Sequence, residues 1–159
     1  MARILIVEDN ETNALLFSDV LAAEGHAVEV APDGETALAR LEAEVYDLIL
    51  LDIHLPEMDG LAIARALRST PAFDGVPIVA LSAFATEREI REAYAAGFDD
   101  YLTKPIDVRT LVAAVSRHLR SGRITVPEKG RPAAEAPEPG AGGGEGAGPS
   151  AGRVRDEAP

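Results

Sequence analysis

Five short apolar runs punctuate the first 120 residues: Ile4–Val7, Val28–Val30, Leu48–Leu51, Ile78–Leu81 and Tyr101–Leu102. Between them lie stretches of helical length in which apolar residues recur every three or four positions. In the first stretch Leu16 shares a helical face with Val20, and Phe17 with Leu21; Gly25 then suits the position just past the helix end. In the fourth, Thr86 and Glu89 form a capping-box pattern and Gly97 closes the helix. In the last, Asp107 can cap a helix whose apolar stripe is Leu111, Val115 and Leu119. Strand and helix signals alternating in this way predict an α/β domain, with a parallel sheet covered by helices on both faces. The third and fourth runs are apolar nearly throughout, as central strands of such a sheet must be.

The pattern stops near residue 121. Residues 121–159 hold nine of the 14 glycines and six of the 11 prolines, and their large apolar residues are Ile124, Val126 and Val154. Such a segment cannot bury enough apolar surface to offset its ordering entropy, so the chain divides into a domain over 1–120 and a disordered Gly/Pro/Ala-rich tail over 121–159. A length of 159 residues suits one ordinary domain, and a hydrophobic content of 47% can supply its core.

Charge and composition narrow the functional classes. The net charge is −12, and the tail's six acids and five bases leave −11 on residues 1–120. That argues against nucleic acid or an anionic membrane as a partner held by charge. The absence of cysteine excludes disulfides, thiolate metal sites and a cysteine nucleophile. The N-terminal MARILIVEDN meets acids at once and is neither signal peptide nor membrane span. A cytoplasmic protein is expected. With no further domain visible after residue 120, its output is expected through contacts with other proteins.

Candidate chemistry follows from where the strands end. In an open parallel sheet, ligands bind at the carboxyl ends of the strands. The first strand ends in Glu8 and Asp9, the third in Asp52, the fourth in Ser82, and the fifth leads into Lys104 and Pro105. Each residue alone has a bland reading. Glu8 and Asp9 would cap a helix, Asp52 would be a loop acid, Ser82 a backbone-bonded hydroxyl and Lys104 a surface lysine. Together they form a set. Clustered carboxylates repel one another, a divalent cation relieves the repulsion, and all-oxygen ligands suit magnesium. A carboxylate beside that cation can attack a phosphoryl group, and Lys104 and Ser82 can then meet the phosphoryl oxygens. No zinc pattern exists, and His26 and His118 read as helix-end or surface residues.

These residues carry a resemblance. The segments IVEDN, LILLDIHLPEMDG, IVALSAFA and DDYLTKPI, in this order, resemble those of response-regulator receiver domains of two-component signalling. The likeness spans residues 2–120. EDNETN with ALSAFAT is similar to single-domain regulators of the DivK kind and to the receivers of hybrid kinases. The resemblance implies the flavodoxin-like (CheY-like) doubly wound fold, with five parallel strands in the order 2-1-3-4-5. It implies Asp52 as phosphoacceptor and Lys104 and Ser82 as its partners. It implies a magnesium ion held by Asp9, by Asp52, by the main-chain carbonyl of His54 and, mainly through water, by Glu8. Ser82 and Tyr101 would form the switch, and Lys104–Pro105 would be a cis peptide. A histidine kinase or phosphotransfer protein would supply the phosphoryl group, and a downstream protein would read the result. Ser82 stands where threonine is commoner, and Phe84 places an apolar bulk beside the pocket. The bland reading of Tyr101 is a half-buried strand aromatic with its hydroxyl in water. Two rivals share the residues. One is a phosphohydrolase resembling haloacid dehalogenases, which would want a second acid where His54 stands. The other is a phosphate-independent interaction module, which would have no need of the acidic set.

Overall fold

The computed structural model describes residues 1–121; the predicted tail, but for Ser121, lies outside them. Five strands and five helices alternate: β1 (Arg3–Val7), α1 (Glu11–Ala23), β2 (Ala27–Ala31), α2 (Gly34–Ala43), β3 (Leu48–Asp52), α3 (Gly60–Arg68), β4 (Ile78–Ser82), α4 (Glu87–Ala96), β5 (Asp100–Thr103) and α5 (Val108–Ser121). A 3₁₀ turn, Pro71–Phe73, leads from α3 toward β4. The strands form one parallel sheet in the order β2-β1-β3-β4-β5.

Two-residue alternation along the strands sorts the core into two layers. Leu5, Val7, Ile49, Leu51, Ile78 and Ala80 pack with α2, α3 and α4 through residues such as Leu41, Ile63 and Ala93. Ile4, Ile6, Leu48, Leu50, Val79 and Leu81 pack with α1 and α5 through Phe17, Leu21, Leu111 and Val115. All of β3 and β4 is buried, which is why both read as unbroken apolar runs.

The helix punctuation follows the sequence closely. Gly25 and Gly97 adopt φ of 94° and 114°, the left-handed region that ends a helix with little strain when Cβ is missing. Thr86 Oγ1 accepts from the Glu89 N–H at 3.1 Å, and Asp107 Oδ2 from the Thr110 N–H at 3.2 Å. The first helix differs from expectation. Its N-cap is Asn10, whose side chain accepts from the Asn13 N–H at 2.9 Å, so Glu8 and Asp9 are not needed as caps. Only one of its two apolar stripes is buried: Phe17 and Leu21 face the core, whereas Leu16 is 45% exposed. The helix is apolar on more positions than one sheet face can cover.

His118 also departs from the sequence reading. It is only 3% exposed, because α5 turns it onto β5, where its Nε2 lies 3.0 Å from Asp100 Oδ2. Tyr101 N–H donates to the other Asp100 oxygen at 2.8 Å, and Arg117 pairs with the same carboxylate. Burial opposes ionisation of Asp100, but these contacts more than offset it, and its pKa is held below the ordinary aspartate value. Among the described residues, no helix is long and apolar enough to cross a membrane.

Candidate functional site

The strand order reverses direction between β1 and β3, since the chain moves outward to β2 from one and to β4 from the other. A crevice opens at the carboxyl ends of the strands flanking such a point. β1 delivers Glu8 and Asp9 to it and β3 delivers Asp52. Oxygens from these three carboxylates lie within 4.8 Å of one another. Asp9 is exposed at the mouth, and Glu8 and Asp52 are buried.

Lys104 arrives from the end of β5, two strands beyond β3. Its backbone N–H donates to the Ser82 carbonyl at 2.7 Å. Its Nζ donates to Asp52 Oδ2 at 2.8 Å and stands 2.8 Å from Glu8 Oε1. The following Lys104–Pro105 bond is cis. Burial works against the ammonium, but the Asp52 and Glu8 carboxylates outweigh it and the Lys104 pKa is raised. Glu8 shows the opposite balance: burial pushes its carboxyl up, and Lys104 and the Asn10 N–H recover only part of that. The sequence reading set Glu8 toward the metal through water. In the structure its Oε1 faces the ammonium, and its Oε2 accepts from the Asn10 N–H at 3.1 Å.

Asp52 is held from both sides. Its Oδ1 accepts from the His54 N–H at 2.8 Å, opposite Lys104 at Oδ2. His54 thus contributes its N–H to the site; the assignment of its carbonyl to a metal rests on the resemblance alone. Gly60 was absent from the candidate residues. A Cβ there would stand 2.6 Å from the Asp52 carbonyl oxygen and 2.6 Å from Ile53 Cα. The start of α3 therefore presses directly on the backbone that presents Asp52, and its N–H donates to the Ile53 carbonyl at 2.9 Å. The signal available in the sequence is the Asp59-Gly60 pair after Met58, part of the segment LILLDIHLPEMDG.

Ser82 is fully buried at the end of β4, and its Oγ accepts from the Phe84 N–H at 3.0 Å. Tyr101 donates its hydroxyl to the Phe84 carbonyl at 2.7 Å, so that hydroxyl is bonded to protein rather than left to water. Burial raises the Tyr101 pKa and keeps the donor neutral. The two predicted switch residues are joined through one residue between them, Phe84. The exposed Phe84 ring also meets the His54 ring edge-on, with centroids 5.0 Å apart, at the rim of the site.

The residues fit a hard divalent cation. The donors are all oxygen, and three carboxylates bring them within 4.8 Å of one another.

Comparison with known proteins gives concordant matches. The family model for the response regulator receiver domain matches residues 4–116. The aerobic respiration control sensor protein ArcB of Escherichia coli is 42% identical over 115 residues, which are 72% of this chain and 15% of ArcB. The chain thus spans a small part of that relative's length. An uncharacterized 14.6 kDa protein of Leptolyngbya boryana is 38% identical over 115 residues, covering 72% of this chain and 88% of that protein. Among solved structures, the receiver domain of a sensor histidine kinase from Pseudomonas aeruginosa is described with a magnesium ion coordinated in its active-site cleft. It matches with a TM-score of 0.69 at 34% identity, covering 75% of this chain and 98% of that one.

Proposed function

The chain belongs to the response regulator receiver domain family, and from that premise we propose that it accepts a phosphoryl group on Asp52 and signals through phosphorylation-dependent contacts with another protein. The observation that carries the proposal is the placement of Lys104 Nζ, 2.8 Å from Asp52 Oδ2 at the reversal point of the sheet, beside two further carboxylates.

The transfer needs little from the protein beyond position and charge. An ionised Asp52 is already a nucleophile. As its oxygen bonds to phosphorus, the P–N bond of a phosphohistidine donor breaks, and the departing imidazole nitrogen takes its proton from solvent. Lys104 exchanges one anionic partner for another, leaving the Asp52 carboxylate for a phosphoryl oxygen while still facing Glu8. A magnesium ion held by Asp9, Asp52, the His54 carbonyl and Glu8 would neutralise charge on the phosphoryl oxygens. The chemistry is self-modification followed by slow hydrolysis, not turnover of a substrate pool.

Ser82 gives the signal a route. Its Oγ accepts from Phe84, so its own proton is free to donate to a phosphoryl oxygen. Drawing Ser82 toward the phosphoryl group pulls the Phe84 peptide, and with it the carbonyl that holds Tyr101. The surface of α4, β5 and α5 would change with Tyr101. A histidine kinase or phosphotransfer protein is the proposed donor and a protein target the reader, both in the cytoplasm. The match over most of the Leptolyngbya protein supports a receiver acting on its own.

Incubation with acetyl phosphate and magnesium should label the parent at one site, and Asp52→Asn, nearly isosteric, should take no label while remaining folded. Equal labelling of Asp52→Asn would place the acceptor elsewhere. Turnover of added phosphoesters would favour a phosphohydrolase, and no labelling at all a phosphate-independent module.

A further inference from the structure

Helix α4 is held unevenly along its length. The residues it buries, Ala93 and Ala96, both lie in its C-terminal half. In the half before them Glu87 and Arg88 are exposed, and Glu89 and Ile90 are only half-buried. Its ion pairs Arg88–Glu92 and Arg91–Glu87 close within the helix itself.

The C-terminal end is pinned. Arg68, at the end of α3, donates from Nε to the carbonyl of Gly97, the residue that caps α4, at 2.9 Å. Its Nη1 donates to the Phe73 carbonyl at 2.7 Å and its Nη2 to Asp99 Oδ2 at 2.5 Å. The same Asp99 oxygen accepts from the Ile78 N–H, at the start of β4, at 2.9 Å. The side chains of Arg68 and Asp99 are 11% and 4% exposed, so solvent screens the pair little. A Cβ at Gly97 would run into the Arg68 stem, which shows how tightly the two are packed. Charge-assisted hydrogen bonds thus fix this end of α4 to α3, the 3₁₀ turn and β4. Beneath the rest of the helix there is space. A cavity of about 100 Å³ lies between Glu89 and Glu92 of α4, Tyr101 of β5, and Ile53, His54 and Leu61 of the segment joining β3 to α3.

Close packing leaves little room for motion elsewhere in a protein interior. A helix fixed at one end beside such a void can turn about that end. Three residues separate Ser82 from the Thr86 cap of α4, and the middle one, Phe84, is already bonded to Ser82 and Tyr101. We propose that α4 is a lever with its pivot at Gly97 and Arg68, and that its N-terminal half closes on the cavity when a phosphoryl group draws Ser82 and Phe84 inward. The lever rests on the reading of Asp52 as phosphoacceptor. It adds which part of the α4 surface a partner would find changed: the Glu87–Ile90 half is displaced and the end at Gly97 stays in place.

The chain has no cysteine, so cysteines introduced in pairs at exposed positions carry spin labels at those positions alone. In the full chain, Ala62→Cys on α3 is paired either with Arg88→Cys or with Ala95→Cys, near the pinned end of α4. Beryllofluoride with magnesium should shorten the distance between labels at 62 and 88 by about 1–2 Å, the scale on which packed helices shift, and that between 62 and 95 by less than about half as much. Adding Arg68→Met, which keeps the apolar stem and removes the guanidinium, should let position 95 move as far as position 88. Should that variant not fold, the two distances without it still decide. Equal movement at both positions, no movement, lengthening, or the same asymmetry without Arg68 would overturn the lever. The amide signals of His54 and Ser82 separate the two readings. If they respond to beryllofluoride while α4 does not move, the lever alone fails; if they do not respond, the assignment of Asp52 fails and the lever with it.

Discussion

Replacing Lys104 with methionine removes the cation that stands 2.8 Å from both Glu8 Oε1 and Asp52 Oδ2, while keeping most of the apolar stem. The lysine side chain is 18% exposed, Asp52 5% and Glu8 0%, so solvent screens these pairs poorly. At an effective dielectric of about 20, each contact carries roughly 6 kcal/mol of gross attraction. Desolvation of the three groups, several kcal/mol each, cancels much of this. Removing the shared partner is a different matter, because it strands two buried carboxylates beside Asp9 with no counter-charge. That costs roughly 3–5 kcal/mol, toward the lower end if Glu8, whose pKa burial already raises, takes up a proton. The site also becomes one unit more negative, so a divalent cation that binds the folded state stabilises the variant more than the parent. Urea denaturation of both proteins, with and without magnesium, measures the two effects. A variant as stable as the parent without magnesium, or an equal magnesium increment in the two, would falsify the view that Lys104 is the structural counter-ion of this pocket.

Gly60→Ala should cost about 1–3 kcal/mol and lower Tm, because its Cβ would meet backbone at 2.6 Å on both Asp52 and Ile53 and neither can yield as a side chain does; an unchanged Tm would show that the start of α3 relaxes freely. The Asp100 pKa is depressed in the folded state, so its stabilising contribution is present above the unfolded value of about 3.9 and lost as pH falls through the lower folded value. Urea midpoints taken downward from about pH 5 should therefore fall more steeply for the parent than for Asp100→Asn, and parallel curves would count against the assignment. Ser82→Ala should leave acetyl phosphate labelling of Asp52 largely intact but weaken the response of Tyr101 to beryllofluoride, read by NMR. An identical Tyr101 response in parent and variant would break the proposed route through Phe84.

The linear pattern was enough to find the sheet because a parallel strand buried on both faces must be apolar at every position, as β3 and β4 are. It was enough to bring Asp52, Ser82 and Lys104 to one edge of the sheet, because polar residues that end such runs emerge there, and enough to end α1 and α4 because Gly25 and Gly97 occupy positive φ. What the chain could not show by itself was which atoms meet. Lys104 reaches Glu8 and Asp52 from 96 and 52 positions away, a consequence of strand order and not of spacing. Leu16 and Phe17 are equally apolar neighbours, and only the packing of α1 on one sheet face decides that Phe17 is buried and Leu16 exposed. His118 looked like a surface residue until α5 was laid against β5 and Asp100. Gly60 and Phe84 carry no charge or nucleophile to mark them. Their roles come from close approach to the Asp52 backbone and from a backbone carbonyl aimed at Tyr101. Periodicity records whether a position is buried, because burial acts on one residue at a time; contact between residues distant in the chain is a property of the assembled layers, and only the tertiary structure decides it.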